Sequence, residues 1–498
     1  MEEKKKIKYN LLVGILSQVI TIALGIIIPR ITLQSYGSEV NGLLNSVTQI
    51  YAYIALLEAG VGVSTVQALY RTIGNGEKGN TNAVLAATNK YYRKTGLWYL
   101  VAILLFSFIY PLIIDTEIPT ITVILVIVFN GAGSVINYFY QAKYFLLLQA
   151  EGKNYIRTTL DLFTNIFKNI AKIILISIGL DVVFVQMIAM AISLIQMSYV
   201  KWYITKNYDW IDLSVKPDWQ SISQSKNVLV HQISGLVYNN TDTITLTVFC
   251  GLKTVSVYSL YTLLFGMIST ALNTVSGSVI FKIGQMFHKD WKKFIKMYDA
   301  YEVFYMALVF SLYSIAFFFI EPFIKLYTSG ILDINYVDSW LPILFISTYL
   351  LSCGRSAPNL AINFAGKFRD TQNRAIAEAL INIVVSVGAV QFFGIYGVLF
   401  GTIVALLYRT NDMILYANKY VLCRTPWYTY KRWLRNVALF ILIFFLSNLL
   451  VVEFKSYFSI FLWCIPYSIA VLLCYFLVSC IFEKEAARFI FDSVLKRK

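Results

Sequence analysis

One apolar segment of this chain, residues 156–178, carries cationic side chains at helical spacing. Its polar residues are Arg157, Asp161, Thr164, Asn165, Lys168 and Lys172. Steps of three and four place them on one face of a helix. In a membrane span, Lys168 and Lys172 would lie at a depth where an ionised group costs roughly 2.5–3.5 kcal/mol, which makes them a functional hypothesis. Cations at that depth suit an anionic substrate, since guanidinium and ammonium groups bind phosphate.

A second polar stripe occupies residues 371–386. It consists of Thr371, Arg374, Glu378, Asn382 and Ser386. Subtracting 214 from the residue number maps Thr371, Glu378, Asn382 and Ser386 onto Arg157, Thr164, Lys168 and Lys172. We interpret the two stripes as two walls of one central cavity. The alternative is a set of polar contacts between helices that only stabilise the bundle.

Four further charged residues stand alone in apolar segments: Arg30, Glu58, Asp242 and Arg355. For Arg30, substrate binding and an anchor at the membrane surface are equal alternatives. For the other three, a cavity role competes with a buried structural pair. The substrate-binding residues predicted from the sequence are Arg30, Lys168, Lys172 and Arg355. The residues predicted to couple transport to H⁺ or Na⁺ are Asp242, Glu58 and Glu378.

The elements that must position these side chains are membrane-spanning helices. Hydrophobic residues make up 58% of the chain and charged residues 14%, against about 25% charged in soluble proteins. Apolar runs of about 18 or more residues recur along the chain, each long enough to cross a bilayer as a helix. The candidate spans are 9–33, 40–70, 97–114, 119–149, 156–178, 182–204, 227–250, 255–281, 299–320, 338–364, 373–393, 396–418, 434–452 and 458–482. We therefore predict an all-α integral membrane protein with about 14 transmembrane helices.

Lysine and arginine are distributed unevenly around these spans. Most of the 42 lie at the termini and in the loops after even-numbered spans. The opposite loops hold only Lys253, Lys325 and Lys455. This asymmetry predicts a multi-pass protein of the plasma membrane with both termini in the cytoplasm. It also accounts for the net charge of +15 without a nucleic-acid partner.

Three landmarks recur along the chain at a nearly constant offset. The pairs Gly37 and Gly251, and Gly152 and Gly366, are 214 residues apart, and Gly179 and Gly394 are 215 apart. Each pair lies at an equivalent turn between spans. The sequence therefore predicts two six-helix lobes, residues 1–215 and 216–425, and a C-terminal helix pair with a cytoplasmic tail, residues 426–498. The lobes run in the same direction through the membrane, which is the parallel-repeat plan of transporters whose cleft opens to either side in turn.

Catalytic and cofactor signals are missing from the sequence. It contains no P-loop, no GxSxG and no HExxH motif, so direct use of ATP and the common hydrolase chemistries are not indicated. The six cysteines have no metal-type spacing, and two histidines are too few for a metal cluster. We predict that the protein is not an enzyme and needs no cofactor beyond a coupling ion.

Three stretches of sequence resemble one family of transporters. Residues 36–43 (YGSEVNGL) and 57–62 (LEAGVG) look like the start of the polysaccharide transporters, and residues 394–402 (GIYGVLFGT) are similar to their turn into the twelfth span. These are the Wzx-type flippases of the multidrug/oligosaccharidyl-lipid/polysaccharide (MOP) exporter superfamily. The resemblance covers essentially the whole chain, because the fourteen-span plan also matches.

The resemblance implies a function in the bacterial cell membrane. The chain would flip an undecaprenyl-pyrophosphate-linked oligosaccharide from the cytoplasmic to the outer leaflet, for capsule, exopolysaccharide or O-antigen-type glycan. Alternating access would be driven by a proton or sodium gradient, and other glycan-assembly proteins would be partners. If the chain is such a flippase, its pyrophosphate or acidic sugars would be bound by Arg30, Lys168, Lys172 and Arg355.

Three other functions compete with this one. A multidrug exporter of cations would need an acidic cavity, which Lys168 and Lys172 argue against. A membrane glycosyltransferase or glycan polymerase would need a larger outer loop than the sequence offers. A structural scaffold for a glycan-assembly complex would tolerate removal of every cavity charge.

Overall fold

The computed structural model describes residues 2–58, 61–222, 226–450 and 452–495, and all the regular structure in these ranges is helical. Ala59 and Gly60, from one of the family-like stretches, lie outside them. The helices are α1 (Glu2–Ile54), α2 (Val61–Gly74), α3 (Lys78–Ile113), α4 (Thr120–Ile136), α5 (Ala142–Ala150), α6 (Asn154–Ser177), α7 (Val182–Asn207), α8 (Lys226–Lys289), α9 (Trp291–Tyr327), α10 (Leu341–Gly354), α11 (Ser356–Phe364), α12 (Phe368–Phe393), α13 (Ile395–Tyr416), α14 (Trp427–Asn448), α15 (Tyr457–Phe482) and α16 (Lys484–Leu495). A helix satisfies its own backbone hydrogen bonds, so these apolar sequences can lie in lipid.

Two long helices are broken where the sequence predicts a turn between spans. Helix α1 is broken at Gly37 and α8 at Gly251, so each supplies two spans. A π-helical turn, Asn137–Gln141, joins α4 to α5, and Arg355 separates α10 from α11. Within the described ranges, nine helical stretches are long and apolar enough to cross a membrane, compared with about 14 predicted spans. Helix α6, which carries the cationic face, is not among the nine. The predicted all-α, multi-pass fold class is confirmed.

The chain divides into two compact units, Met1–Ser256 and Val257–Lys498. In the first unit, α6 packs against α1 and α7, and α4 packs against α3 and α7. In the second unit, α9 packs against α10, α14, α15 and α16, and α12 packs closely along α13. The division between the units falls inside α8, just after its break, whereas the sequence predicts a lobe boundary at residue 215. The predicted C-terminal helix pair packs as part of the second unit.

Local conformations repeat at the offset found in the sequence. The six paired glycines all adopt positive φ: Gly37 (79°) and Gly251 (79°), Gly152 (71°) and Gly366 (66°), Gly179 (78°) and Gly394 (54°). Positive φ is strained for any residue with a Cβ atom, which explains why glycine occupies each turn. Helices α6 and α12 also begin 214 residues apart, at Asn154 and Phe368.

One hydrogen bond in the core recurs at the same offset. The Tyr99 hydroxyl donates to the carbonyl oxygen of Tyr51 at 3.4 Å, and the Tyr313 hydroxyl donates to that of Phe265, also at 3.4 Å. The corresponding ring pairs lie 6.4 Å and 6.2 Å apart between centroids. Each unit therefore contains the same side-chain contact at the equivalent position, in addition to the same backbone turns.

Candidate functional site

Helix α6 presents the predicted cationic face. Lys168 and Lys172 are both partly exposed. Four large apolar side chains are exposed along a different face of the helix: Phe163, Phe167, Ile170 and Ile174. Because that second face is uniformly apolar, it suits lipid. The lysines therefore project away from the surface that lipid would cover.

The acidic residue on the same helix as these lysines is already engaged. The Asp161 carboxylate accepts a hydrogen bond from Gln196 at 2.8 Å and pairs with Arg157 at 3.5 Å. Across the described ranges, neither Lys168 nor Lys172 forms a hydrogen bond or an ion pair. The two ammonium groups are thus left to bind a ligand anion or water.

Glu58 lies in a tyrosine-rich part of the first unit. It ends a 3₁₀ turn, Ala55–Glu58, that follows α1. The Tyr92 hydroxyl donates to Glu58 Oε1 at 2.6 Å, and the ring of Tyr92 meets that of Tyr138 edge-on at 5.9 Å. A Cβ atom at Gly62 would lie 2.8 Å from Glu58 Oε1. This carboxylate is therefore held by a neutral donor in a closely packed aromatic setting.

Asp242 is buried at a polar seam between the second half of α1 and the first half of α8. Hydrogen bonds along the seam join Asn41 to Ser256 at 2.7 Å, Ser46 to Thr247 at 2.8 Å and Tyr53 to Thr241 at 2.9 Å. The helices approach closely here, since a Cβ atom at Gly42 would lie 1.9 Å from the carbonyl oxygen of Leu252. Glycine at position 42, within the family-like stretch YGSEVNGL, is thereby explained by packing.

Arg30 is the remaining predicted site residue of the first unit. It follows Pro29 within α1 and is partly exposed. The first unit thus contains five of the seven predicted site residues: Arg30, Glu58, Lys168, Lys172 and Asp242.

The other two predicted residues, Arg355 and Glu378, form a direct ion pair at 2.5 Å. The pair continues as a chain of alternating charges. The second Glu378 oxygen lies 3.4 Å from Arg409 Nε, Arg409 contacts Asp412 at 2.8 Å, and Asp412 contacts Arg374 at 2.5 Å. Both carboxylate oxygens of Glu378 therefore face guanidinium groups. The sequence predicts substrate binding for Arg355 and ion coupling for Glu378, whereas in the structure the two side chains form one ion pair.

The last two residues of the second polar stripe, Asn382 and Ser386, are buried between α12 and α13. Asn382 donates to Thr402 Oγ1 at 2.9 Å, and Ser386 donates to the carbonyl oxygen of Val398 at 3.2 Å. Both side chains are fully buried. A Cβ atom at Gly401 would lie 2.3 Å from Ser386 Oγ. The positions that correspond to Lys168 and Lys172 are thus neutral and are used for helix packing.

Arg409 and Asp412 are not among the residues that the sequence predicts for the site. They lie three residues apart within a predicted span, on one helical face; the Arg409 side chain is buried and that of Asp412 is largely buried. Opposite charges at a spacing of three or four inside an apolar run are the signal that could have identified them.

A second ionic cluster was missed as well. Arg424 contacts Asp299 at 2.6 Å and Glu302 at 3.2 Å, and Arg432 contacts Asp299 at 2.8 Å, Glu302 at closer range and Glu483 at 3.1 Å. Burial alone would lower the pKa of Arg424, but Glu302 and Asp299 outweigh it and raise that pKa above its ordinary value. The cluster joins α9, α14 and the segment before α16.

Solved structures with the same fold are transporters. The lipid II flippase MurJ in an inward closed conformation has a TM-score of 0.70 and 13% identity, covering 95% of this chain and 99% of that one. An inward-facing multidrug resistance MATE family transporter of the MOP superfamily has a TM-score of 0.60 and 16% identity, over 81% and 95% of the two chains. This chain has their fold.

A third similar structure is the MATE multidrug transporter DinF-BH, with a TM-score of 0.58 and 12% identity over 84% of this chain and 97% of that one. No protein-family model and no curated protein sequence matches the chain. At these identities the likeness establishes the arrangement of the helices, and function must be argued from the residues.

Proposed function

We propose that this protein is a membrane transporter that flips an undecaprenyl-pyrophosphate-linked oligosaccharide from the cytoplasmic to the outer leaflet, as Wzx-type flippases do. The observation that carries the proposal is the pair of ammonium groups of Lys168 and Lys172 on α6, which form no ion pair or hydrogen bond in the described ranges and lie away from the apolar face of that helix. In a membrane span, which the sequence predicts for residues 156–178, such cations are costly to insert and persist where they have a function. Lipid-linked substrates carry the anionic phosphates that such groups bind.

The contrast with the other deep cations supports this assignment. Arg355, Arg374 and Arg409 are all neutralised by carboxylates of the second unit, so their charges are used within the protein. Lys168 and Lys172 have no such carboxylate in the described ranges. We therefore assign the pyrophosphate to these two residues. Arg30 stays a candidate for a further contact, and Arg355 becomes a positioning residue.

Coupling to a cation gradient is assigned first to Glu58. Its carboxylate accepts from Tyr92, a neutral donor, whereas both oxygens of Glu378 face guanidinium groups. In the described ranges Glu58 forms no ion pair, although Arg157 is near enough to act on its charge. Such a carboxylate can take up H⁺ or Na⁺ and so differ in charge between two states of a transport cycle. Asp242, buried at the α1–α8 seam, is the second candidate.

The test is flipping by the purified protein in proteoliposomes, with a fluorescent polyprenyl-pyrophosphate-linked saccharide as substrate. A hydrogen bond to a charged group contributes about 1.5–3 kcal/mol, which corresponds to roughly 10- to 100-fold in rate or affinity. We expect Lys168→Gln and Lys172→Gln each to lower flipping by that factor. The matched control is Lys201→Gln, which changes an exposed lysine of α7. Flipping that is unchanged in the double variant would refute the assignment.

A multidrug exporter is the second candidate function, favoured by the MATE structures among those with the same fold. Uptake of an organic cation dye by the same proteoliposomes distinguishes the two. An exporter would move the dye and lose that activity in Glu58→Gln. The flippase we propose would move the lipid-linked saccharide and leave the dye outside.

A further inference from the structure

A cavity of about 910 Å³ lies in the second unit, where α9 and α14 end and α10 begins. This volume is within the range of about 300–1,000 Å³ that is usual for ligand sites. Aromatic rings form much of its wall. Phe317 and Phe444 pack at 5.1 Å, and Phe318 and Phe454 at 6.1 Å between ring centroids. Trp340, just before α10, lines the cavity as well. Tryptophan at a helix end is typical of the depth at which lipid headgroups lie.

Two acids and two lysines also line this cavity: Glu321, Lys325, Glu453 and Lys455. Glu321 and Lys325 are one helical turn apart on α9, a spacing at which Glu and Lys commonly pair. Within the described ranges, however, neither of them forms an ion pair. Lys455 and Glu453 lie 3.9 Å apart and are both highly exposed. The cavity thus offers cationic and anionic groups in equal number.

We infer that this cavity binds the headgroup of a zwitterionic phospholipid with a primary amine. The lipid phosphate would be bound by Lys325 and Lys455, and its ammonium by Glu321 and Glu453, each through charge-assisted hydrogen bonds. The acyl chains would begin along the aromatic wall. This inference does not depend on what the protein transports.

The balance of charges selects against two other common headgroups. A lipid whose headgroup carries only negative charge would meet the two carboxylates without a compensating cation. A quaternary ammonium carries no N–H group and cannot donate a hydrogen bond to Glu321 or Glu453, whereas a primary ammonium has three donors, like the lysine side chain. The site therefore predicts a preference for phosphatidylethanolamine over phosphatidylglycerol and phosphatidylcholine.

The first experiment uses the delipidated full-length protein in detergent. Binding of phosphatidylethanolamine, phosphatidylglycerol and phosphatidylcholine with identical acyl chains would be measured by native mass spectrometry and by the shift in thermal unfolding temperature. We expect phosphatidylethanolamine to bind at least about tenfold more tightly than either of the others, a difference of about 1.4 kcal/mol. Equal binding of the three lipids, or a preference for phosphatidylglycerol, overturns the inference even if no variant can be purified.

Two variants then locate the site. Glu321→Gln should reduce the preference for phosphatidylethanolamine over phosphatidylglycerol, because one ammonium-binding carboxylate is lost. Lys325→Gln should weaken both lipids, because both contain the phosphate. The control is Lys292→Gln, which removes an exposed lysine at the opposite end of the same helix. A lipid preference that is the same in Glu321→Gln as in the unmodified protein places the lipid elsewhere and contradicts the assignment.

Discussion

Helix α6 of the first unit and helix α12 of the second occupy equivalent places in the repeat but use their polar faces differently. On α6, Lys168 and Lys172 remain unpaired among the described residues. On α12, the corresponding Asn382 and Ser386 are buried and hydrogen-bonded to α13. The repeat therefore preserves the course of the backbone, while the polar residues of the two halves differ. Under the proposed function, α6 binds the substrate and α12 stabilises the packing of the second unit.

The physical reason lies in what each charge has beside it. A buried ion pair does not add much stability compared with apolar residues, but removing one partner leaves an uncompensated charge and costs several kcal/mol. The charges of the chain from Arg355 to Arg374 in the second unit compensate one another, as expected of structural ion pairs. Under the proposed function, the unpaired lysines of the first unit have an energetic cost that binding of an anionic substrate would offset.

The largest expected effect is on stability when one arginine of the second unit is removed. Arg409→Leu leaves Glu378 and Asp412 with one cation fewer in a site where the arginine side chain is 5% exposed. We expect a loss of about 3–5 kcal/mol, the usual cost of breaking a buried pair. Lys172→Leu, in contrast, should keep or raise stability, because it removes an unpaired ammonium from the membrane interior.

Thermal or denaturant unfolding of the purified variants in detergent checks this contrast. If Lys172→Leu destabilises the protein as much as Arg409→Leu does, Lys172 has a structural partner and the comparison between the two helices fails. If both variants are as stable as the parent, the charge chain of the second unit has no structural role.

A smaller effect should follow from adding one methyl group to the α12–α13 contact. In Gly401→Ala, the new Cβ atom would lie 2.3 Å from Ser386 Oγ and 2.6 Å from its backbone nitrogen, so the two helices must separate. Overpacking of this kind typically costs about 1–3 kcal/mol. Gly388→Ala on α12 is the control, because its Cβ atom would meet nothing within 4 Å. We expect Gly388→Ala to be neutral or slightly stabilising. Equal unfolding temperatures for both variants would show that α12 and α13 are not tightly packed at Gly401.

The sequence was a good guide to the helices and the turns between them, for a physical reason. Long apolar runs must be helical in a membrane, and a turn that needs positive φ selects glycine, as at Gly37 and Gly251. Both signals are local, so they can be read from one chain. The same reasoning identified α6 as the helix with a cationic face.

Ion pairs between different helices could not be predicted from the sequence. The pairing of Arg355 with Glu378, and of Arg424 and Arg432 with Glu302, depends on which helix faces meet, and periodicity within one helix does not specify that. Arg355 and Glu378 were therefore assigned to substrate and coupling ion separately, although they form one ion pair. The lesson is that a charge at membrane depth indicates a function only after its partners are known.

The smallest expected effect concerns the feature that the two units share. Tyr99 and Tyr313 make equivalent hydrogen bonds to backbone oxygens, both at 3.4 Å. A hydrogen bond contributes about 0.5–1.5 kcal/mol net, and at this distance we expect the lower end of that range. Tyr99→Phe and Tyr313→Phe should therefore lower stability by similar amounts of about 0.5–1 kcal/mol in the unfolding assay, while Tyr70→Phe, at an exposed tyrosine, should have no effect. Because the repeat equates these two tyrosines, a large effect at one and none at the other would show that the divergence between the units extends from their polar faces into their cores.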